Sequence, residues 1–198
     1  MNTGAGRCIK RGVNEQPTLE TERLALRPLT PRDAPALSRL AGRREIADTT
    51  ISIPHPYSEE QARQWIAETA ELFAKGKSAV FGMELKRGGS MAGTIGLRDI
   101  DAEHSQAELG FWVAVGCWGQ GYATEAARLV VGLGFEHLGL NRVYAHHMVR
   151  NPASGQVLAK IGMKPEGLLR QRVRKWGVFE DVVLMALLRQ EWAETSKR

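Results

Sequence analysis

Apolar positions along the 198-residue chain recur with two different periods, and the switches between them divide it into elements. "TLETERLALRPL", residues 18–29, alternates at Leu24, Leu26 and Leu29, the spacing of a half-buried strand. "TPRDAPALSRLAG", 30–42, changes to helical spacing, with Thr30 as N-cap, Pro31 at the first helical position and Asp33 in the first turn. "SEEQARQWIAETAELFAKG", 58–76, predicts a second helix, because Ser58 and Gln61 form a capping-box pair and Gly76 suits a C-terminal cap. Three alternating runs follow, 78–86, 91–100 and 106–115. The first two are joined by the turn "RGG" (87–89), and together they predict an antiparallel meander. A helical pattern then runs to Gly139, and "NRVYAHHMV" (141–149) returns to strand spacing. "NPASGQVLAKIG", 151–162, is a short helix with Asn151 as N-cap, Pro152 next and Gly162 at its end. From Lys164 onward the pattern is strand, turn near Lys175–Gly177, strand. The order βααβββαβαββ predicts one α/β or α+β domain over 17–194, preceded by a disordered tail over 1–16.

The segment "GCWGQGYATEAARLVVGLGFEHLGLNRV", 116–143, places three glycines, Gly116, Gly119 and Gly121, directly before a regular helix. Ala123, Ala126, Ala127, Val130, Val131, Gly134 and Phe135 share one helical face, which predicts packing on a sheet. A helix N-terminus presents unpaired N–H groups and partial positive charge, and glycines let that backbone approach a ligand closely. Strand, glycine loop and helix start together suit a pyrophosphate. The nucleotide P-loop is excluded because its Lys-Ser/Thr ending is missing. The dinucleotide fingerprint is excluded too, since the preceding strand closes a meander instead of opening a βαβ unit. A plain strand-to-helix turn remains the alternative when the loop is read alone.

Composition narrows the class without choosing the ligand. Hydrophobic residues make up 43% and charged residues 25%, within the globular range. No apolar run approaches the roughly 20 residues of a membrane span. Arg7, Lys10 and Arg11 are followed by no apolar stretch, so no signal peptide is predicted. Cys8 and Cys117 belong to no C-x-x-C pair, which predicts a reduced, cytoplasmic setting and no zinc site. The net charge of +5 draws anions, whether nucleic acid, an acidic protein or a phosphate-rich cofactor.

Four stretches, in order, carry a resemblance that spans about residues 20–192: "TERLALRPLTPRDAPAL", "AELGFWVAVGCWGQGYATEA", "NPASGQVLAKIGMKPEG" and "FEDVVLMALLRQEW". The chain resembles the GNAT superfamily of acetyl-CoA-dependent N-acetyltransferases. Within it, the chain is most similar to the RimJ/RimL-like branch of ribosomal-protein alanine and serine N-terminal acetyltransferases. The resemblance implies a central, mixed, mostly antiparallel sheet, splayed between two parallel strands and flanked by helices. The thioester would enter between the strands of 106–115 and 141–149. The superfamily loop Gln/Arg-x-x-Gly-x-Gly/Ala is matched at Gly121 and Ala123, while Trp118 stands at its first position. The resemblance implies that amides of Trp118, Gly119, Gln120, Gly121, Tyr122, Ala123 and Thr124 hold the pyrophosphate of acetyl-CoA. It also implies that the backbone of Phe111, Val113 and Val115 pairs with the pantetheine arm.

Acetyl transfer to an amine requires a neutral amine, a stabilised oxyanion and a departing thiolate. An α-amine has a pKa of roughly 7.7–8.0 and a lysine roughly 10.4, so an α-amine needs only a modest base, directly or through water. Glu108 is the first candidate base, against the reading of a plain surface-strand carboxylate; Asp99 and His104 are weaker candidates. His146 and His147 fall on opposite strand faces, and each also reads as a solvated or hydrogen-bonded histidine. By resemblance, the tyrosine that protonates the thiolate in many members aligns with Leu158, so that acid is missing. Ser154 falls where the branch places a serine against the CoA sulphur. Asn151 caps its helix and, by resemblance, bonds the pantetheine arm. Lys160 meets the 3′-phosphate of CoA or is solvated.

His55, Tyr57 and Trp65 surround the region that covers the acceptor in the family, although an apolar-face Trp is first a core residue. Arg170, Arg172, Arg174 and Lys175 read as a partner-attracting run or as a solvated edge that blocks strand aggregation. The acceptor is read as an amine, as in a protein N-terminus, with no direct nucleic acid, no membrane and a homodimer as a further expectation. Two alternatives stay open: a small amine acceptor, and a non-catalytic basic module binding ribosome or nucleic acid.

Overall fold

The computed structural model describes residues 15–195; most of the expected 1–16 tail, with Cys8, lies outside them. The first expected strand is a small hairpin. β1 (Leu19–Glu20) pairs antiparallel with β2 (Leu24–Pro28). Thr21 closes the turn, its hydroxyl accepting from the amide of Leu24 at 2.9 Å and its amide donating to the Leu24 carbonyl at 2.9 Å. Leu24 and Leu26 are fully buried as the alternation requires, whereas Leu29 lies beyond the strand.

A 3-10 turn, Pro31–Asp33, opens α1 (Ala34–Ala41). The Asp33 carboxylate accepts from the Thr30 amide at 2.7 Å and takes a bidentate bond from Arg27 at 2.8 and 2.9 Å. Burial pushes the Asp33 carboxyl up, but the Arg27 guanidinium and the Thr30 groups outweigh it and hold it below the ordinary value. α2 (Arg44–Thr49), too short for a periodic signal, was not expected. α3 (Glu59–Ala74) has the capping box that Ser58 and Gln61 predict, at 2.8 and 3.1 Å. It ends in a Schellman motif: Lys77 donates to the Leu72 carbonyl, Gly76 to that of Phe73.

β3 (Ala79–Leu85), β4 (Met91–Asp101) and β5 (Gln106–Val113) form the expected meander. β5 ends two residues before the sequence suggests, at a 3-10 turn over Val115–Cys117. α4 (Tyr122–Gly132) continues as a π-helix over Leu133–His137, and Gly139, at φ 72°, ends the run. β6 (Arg142–Met148), α5 (Pro152–Lys160), β7 (Lys164–Lys175) and β8 (Val178–Leu188) follow. Trp176 and Gly177, both at positive φ, make the two-residue turn between β7 and β8. α6 (Arg189–Thr195) forms where the sequence pattern continued the last strand.

The eight strands make one sheet in the order β1-β2-β3-β4-β5-β6-β8-β7. Only β5 and β6 are parallel, and they pair at just three positions: Gln106 with Arg142, Ala107 with Val143 and Glu108 with Tyr144. Beyond Glu108 they part, so the splayed sheet implied by the resemblance is present. Phe81, Ile95, Leu97, Val130 and Val143 belong to the core on the α4–α5 side. Leu37, Ile46, Ile66 and Trp112 form a second core with α1, α2 and α3 on the other side. Trp65 and Tyr57 pack against that second core, as the core reading of Trp65 expects. Among the described residues no helix is long and apolar enough to cross a membrane.

The basic run on β7 divides. Arg170 and Arg172 are exposed on the sheet's edge strand, and Arg174 stacks on Phe179 at 5.6 Å. Lys175 departs from the solvated reading: it is buried and donates to the Ile53 carbonyl at 2.9 Å. Burial pulls its pKa down. Trp176 donates to Asp48 at 2.7 Å, so the hairpin tip locks onto α2 and the loop after it.

Candidate functional site

The gap between β5 and β6 and the glycine loop above it place most of the expected residues together. The Ala114 amide donates to the Ala92 carbonyl of β4 at 2.7 Å. Strand alternation therefore turns the backbone groups of Phe111 and Val113 the other way, into the gap where β6 has left. Val115 lies past the strand end in the 3-10 turn, its carbonyl accepting from the Trp118 amide at 3.2 Å. The Trp118 indole donates to the Val113 carbonyl at 2.7 Å. That bond gives the tryptophan, unexpected at this loop position, a local role: it folds the loop back against the strand end.

Gly119 and Gly121 sit at φ 73° and 81°, in the left-handed region where a side chain is strained. The turn they allow leads from the end of β5 into α4, whose first amides are those of Tyr122, Ala123 and Thr124, while the Trp118 amide is taken by Val115. Arg23, from the β1–β2 turn, braces this loop and was missed by sequence reasoning. It donates to the Gln120 carbonyl at 2.9 Å and to Glu125 at 2.6–2.7 Å, and its guanidinium lies 4.7 Å from the Tyr122 ring centre. A single Arg in an alternating strand carries no signal that it reaches a loop almost a hundred positions on.

On the far side of the gap, α5 begins with Asn151. Its side-chain oxygen accepts from the Ser154 amide at 3.2 Å, and its amide donates to the Thr49 carbonyl at 3.2 Å. The cap is thus present, and one amide hydrogen remains for another acceptor. The half-buried Ser154 hydroxyl has no hydrogen-bond partner among the described residues. It stands in the first helical turn, where the helix dipole favours negative charge. Leu158, which the resemblance aligns with the tyrosine acid of many superfamily members, is fully buried in the core. Lys160 is exposed at the end of α5.

Glu108 lies at the closed end of the gap and is only 8% exposed, which is not a surface-strand carboxylate. It accepts from Arg98 at 3.0 Å and from His146 Nδ1 at 2.9 Å through one oxygen, Oε1. Burial pushes its pKa up, but the hydrogen bond from His146 and the Arg98 charge outweigh it and hold the group ionised below the ordinary carboxylate range. Alternation puts Glu108 on the same sheet face as Trp112, the face covered by α1–α3. His147 faces the other way, against Gly155 of α5, so the two histidines do take opposite faces. His104 is exposed, tied to Asp101 in the β4–β5 turn; Asp99 is exposed in a bulge at φ 51°; neither bonds Glu108. His55 is exposed, bonding the Gly42 carbonyl at 2.8 Å and meeting Trp176 edge-on. No group of three or more His, Cys, Asp or Glu suited to a metal occurs among the described residues.

Residues 23–164 match the model of the acetyltransferase (GNAT) domain family. The chain is 33% identical over 177 residues to the N-acetyltransferase p20 of Bacillus licheniformis, covering 89% of this chain and 98% of that one. It is 31% identical over 178 residues to YdaF of Bacillus subtilis, described as a putative ribosomal N-acetyltransferase, covering 86% and 94%. Among solved structures it is similar to Mycobacterium smegmatis RimJ in complex with CoA-disulfide, with a TM-score of 0.78, 26% identity and coverage of 85% and 83%.

Proposed function

Since the chain belongs to the GNAT acetyltransferases, we propose that it moves the acetyl group of acetyl-CoA onto the free α-amine of a protein or peptide N-terminus. The observation that carries this reading is the buried, ionised Glu108 at the closed end of a strand gap whose open end meets a glycine loop and a helix start. The residues present fit the cofactor. Gly119 and Gly121, at positive φ, put no side chain over their own amides, and the gap edge offers the backbone of Phe111 and the Val113 amide, the Val113 carbonyl being held by the Trp118 indole. Acetyl-CoA, when bound, supplies an activated acetyl thioester. The amides of 119–124 would hold its phosphates, the Trp118 amide being taken by the Val115 carbonyl; the β5 edge and Asn151 would hold its arm, and the Ser154 hydroxyl would donate to the departing sulphur.

The acceptor reading has three supports. YdaF, to which the chain is similar, is described as a putative ribosomal N-acetyltransferase. An α-amine is neutral in part at pH 7–8, so one carboxylate-centred base suffices. A net charge of +5 disfavours polycationic acceptors in the outer field.

The test is a panel of acceptors offered to the purified enzyme: peptides beginning with Ser, Ala or Met, the same peptides N-blocked with an internal Lys, and aminoglycosides. Free-terminus peptides are expected to be preferred, with the rate rising through about pH 7–8 and falling about tenfold or more in Glu108→Gln. Transfer to aminoglycosides alone, or full activity in Glu108→Gln, overturns the reading. Ser154→Ala is expected to lower kcat about tenfold while leaving the KM for acetyl-CoA nearly unchanged, because the hydroxyl is needed only as sulphur gains charge. A change confined to KM would reduce Ser154 to a binding or structural role.

A further inference from the structure

Glu108 does not reach the gap alone. His146 lies two residues past the last β5–β6 pair, where β6 has already separated. Its Nδ1 is 2.9 Å from Glu108 Oε1, and its ring packs edge-on against Tyr144 at 5.7 Å. An ionised carboxylate only accepts hydrogen bonds, so the proton of the neutral imidazole must sit on Nδ1. Nε2 is then the bare acceptor nitrogen, and it has no hydrogen-bond partner among the described residues. The His146 side chain is 19% exposed, so the ring is neither sealed in the core nor free in solvent. Arg98 meanwhile shares Glu108 Oε1 at 3.0 Å. That pairing makes the carboxylate a poor proton acceptor and a good anchor for the Nδ1–H.

We infer that His146 Nε2, and not Glu108 itself, accepts the proton from the acceptor amine, and that Glu108 is the positioning residue that fixes the imidazole's tautomer and orientation. The inference rests on the acetyl-transfer reading above and deepens it. As the amine nitrogen bonds to the acetyl carbonyl carbon, its proton passes to Nε2. The C–S bond breaks with its electron pair leaving on sulphur, which Ser154 Oγ–H stabilises and water protonates. His146 then returns its proton to solvent. A histidine base is suited to this step, because a neutral imidazole held through one ring nitrogen offers the other, bare nitrogen to the proton as the N–C bond forms.

The charged and titratable groups around the ring set the expected pH behaviour. They are Glu108 on β5, Arg98 on β4 and Tyr144 on β6, with Asp99 beyond Arg98 acting on Tyr144. The register partner of His146 on β8 is Leu184, which carries no charge. Only the neutral imidazole has a bare nitrogen, so transfer falls on the acid side as the enzyme's base takes up a proton.

The experiment uses two acceptors on the full-length enzyme. One is a free-terminus peptide. The other is an aminooxyacetyl peptide, whose nitrogen is much less basic than an α-amine, so that its own titration lies on the acid side of an α-amine's and the two acceptors separate the enzyme's limb from their own. With the second acceptor, wild-type kcat is expected to show an acid limb that belongs to the enzyme's base. His146→Asn, whose side-chain amide can still donate to Glu108, is expected to lose about a hundredfold in kcat and to lose that acid limb. Glu108→Gln should lower kcat about tenfold and retain the limb, because the base itself is still present. If His146 merely anchors Glu108, His146→Asn keeps its kcat and its limb, and the inference is overturned. Absence of transfer by the wild type to either acceptor would instead defeat the acetyl-transfer reading itself. Circular dichroism and acetyl-CoA binding of each variant confirm that the comparison is made on folded protein.

Discussion

Gly121→Asp is expected to weaken acetyl-CoA binding about a hundredfold, some 2.7 kcal/mol, in calorimetric titration. Two effects combine. At φ 81° an L-residue is held in the left-handed region, at a cost of about 1–2 kcal/mol. The new carboxylate also stands beside the amides that would hold the pyrophosphate. At an effective dielectric between those of protein surface and water, repulsion at several ångströms costs on the order of 1 kcal/mol per phosphate charge. A Cβ at this position would lie 3.5 Å from Arg23 Nη2, so the carboxylate would also draw that guanidinium off Gln120 and Glu125. Gly121→Ala separates the terms, because it retains the backbone cost and omits the charge; about a tenfold loss is expected. Unchanged affinity in a folded Gly121→Asp variant would remove the loop from the cofactor site.

Gly93→Ala is expected to lower stability by about 3 kcal/mol, or about 6–12 °C in melting temperature for a domain of this size. Gly93 pairs with Val113 on the neighbouring strand and sits at φ 150°. A Cβ there would be 2.1 Å from the Trp112 carbonyl oxygen, 2.7 Å from Met83 Cε and 3.0 Å from Val113 Cα. Met83 can swing away, but the two backbone atoms cannot move without opening the β4–β5 ladder. That ladder also sets the edge of the gap, so acetyl-CoA affinity should fall along with melting temperature. A variant that melts within 1–2 °C of wild type would show that β4 has more freedom than this packing implies.

Much of the chemistry is readable from local pattern because its causes are local. A Ser58–Gln61 capping box, Asn151 followed by Pro152, and glycines obliged to take positive φ at 119 and 121 act within a few residues of themselves. The loop–helix start was legible for that reason, and so was the alternation that turns Phe111 and Val113 together. Boundaries were less so. The Thr21 turn split one expected strand into two, since a hydroxyl closing a turn leaves no trace in hydrophobic periodicity. α2 and α6, at six and seven residues, are too short to show a period.

The sequence by itself determined the order and type of the main elements, the capped starts of α3 and α5, and a glycine loop with positive φ at Gly119 and Gly121. Each depends on backbone propensity and near-neighbour hydrogen bonds. Tertiary structure alone decided which distant side chains meet. It brought Arg23 to Gln120 and Glu125, Lys175 to Ile53, and Arg98 and His146 to one oxygen of Glu108. Those meetings follow from strand order and register, above all from β5 and β6 pairing in parallel for three positions and then parting. A carboxylate's partners govern whether it accepts a proton or holds one in place on a neighbour. Its role is therefore a property of the assembled sheet, which no spacing along the chain encodes.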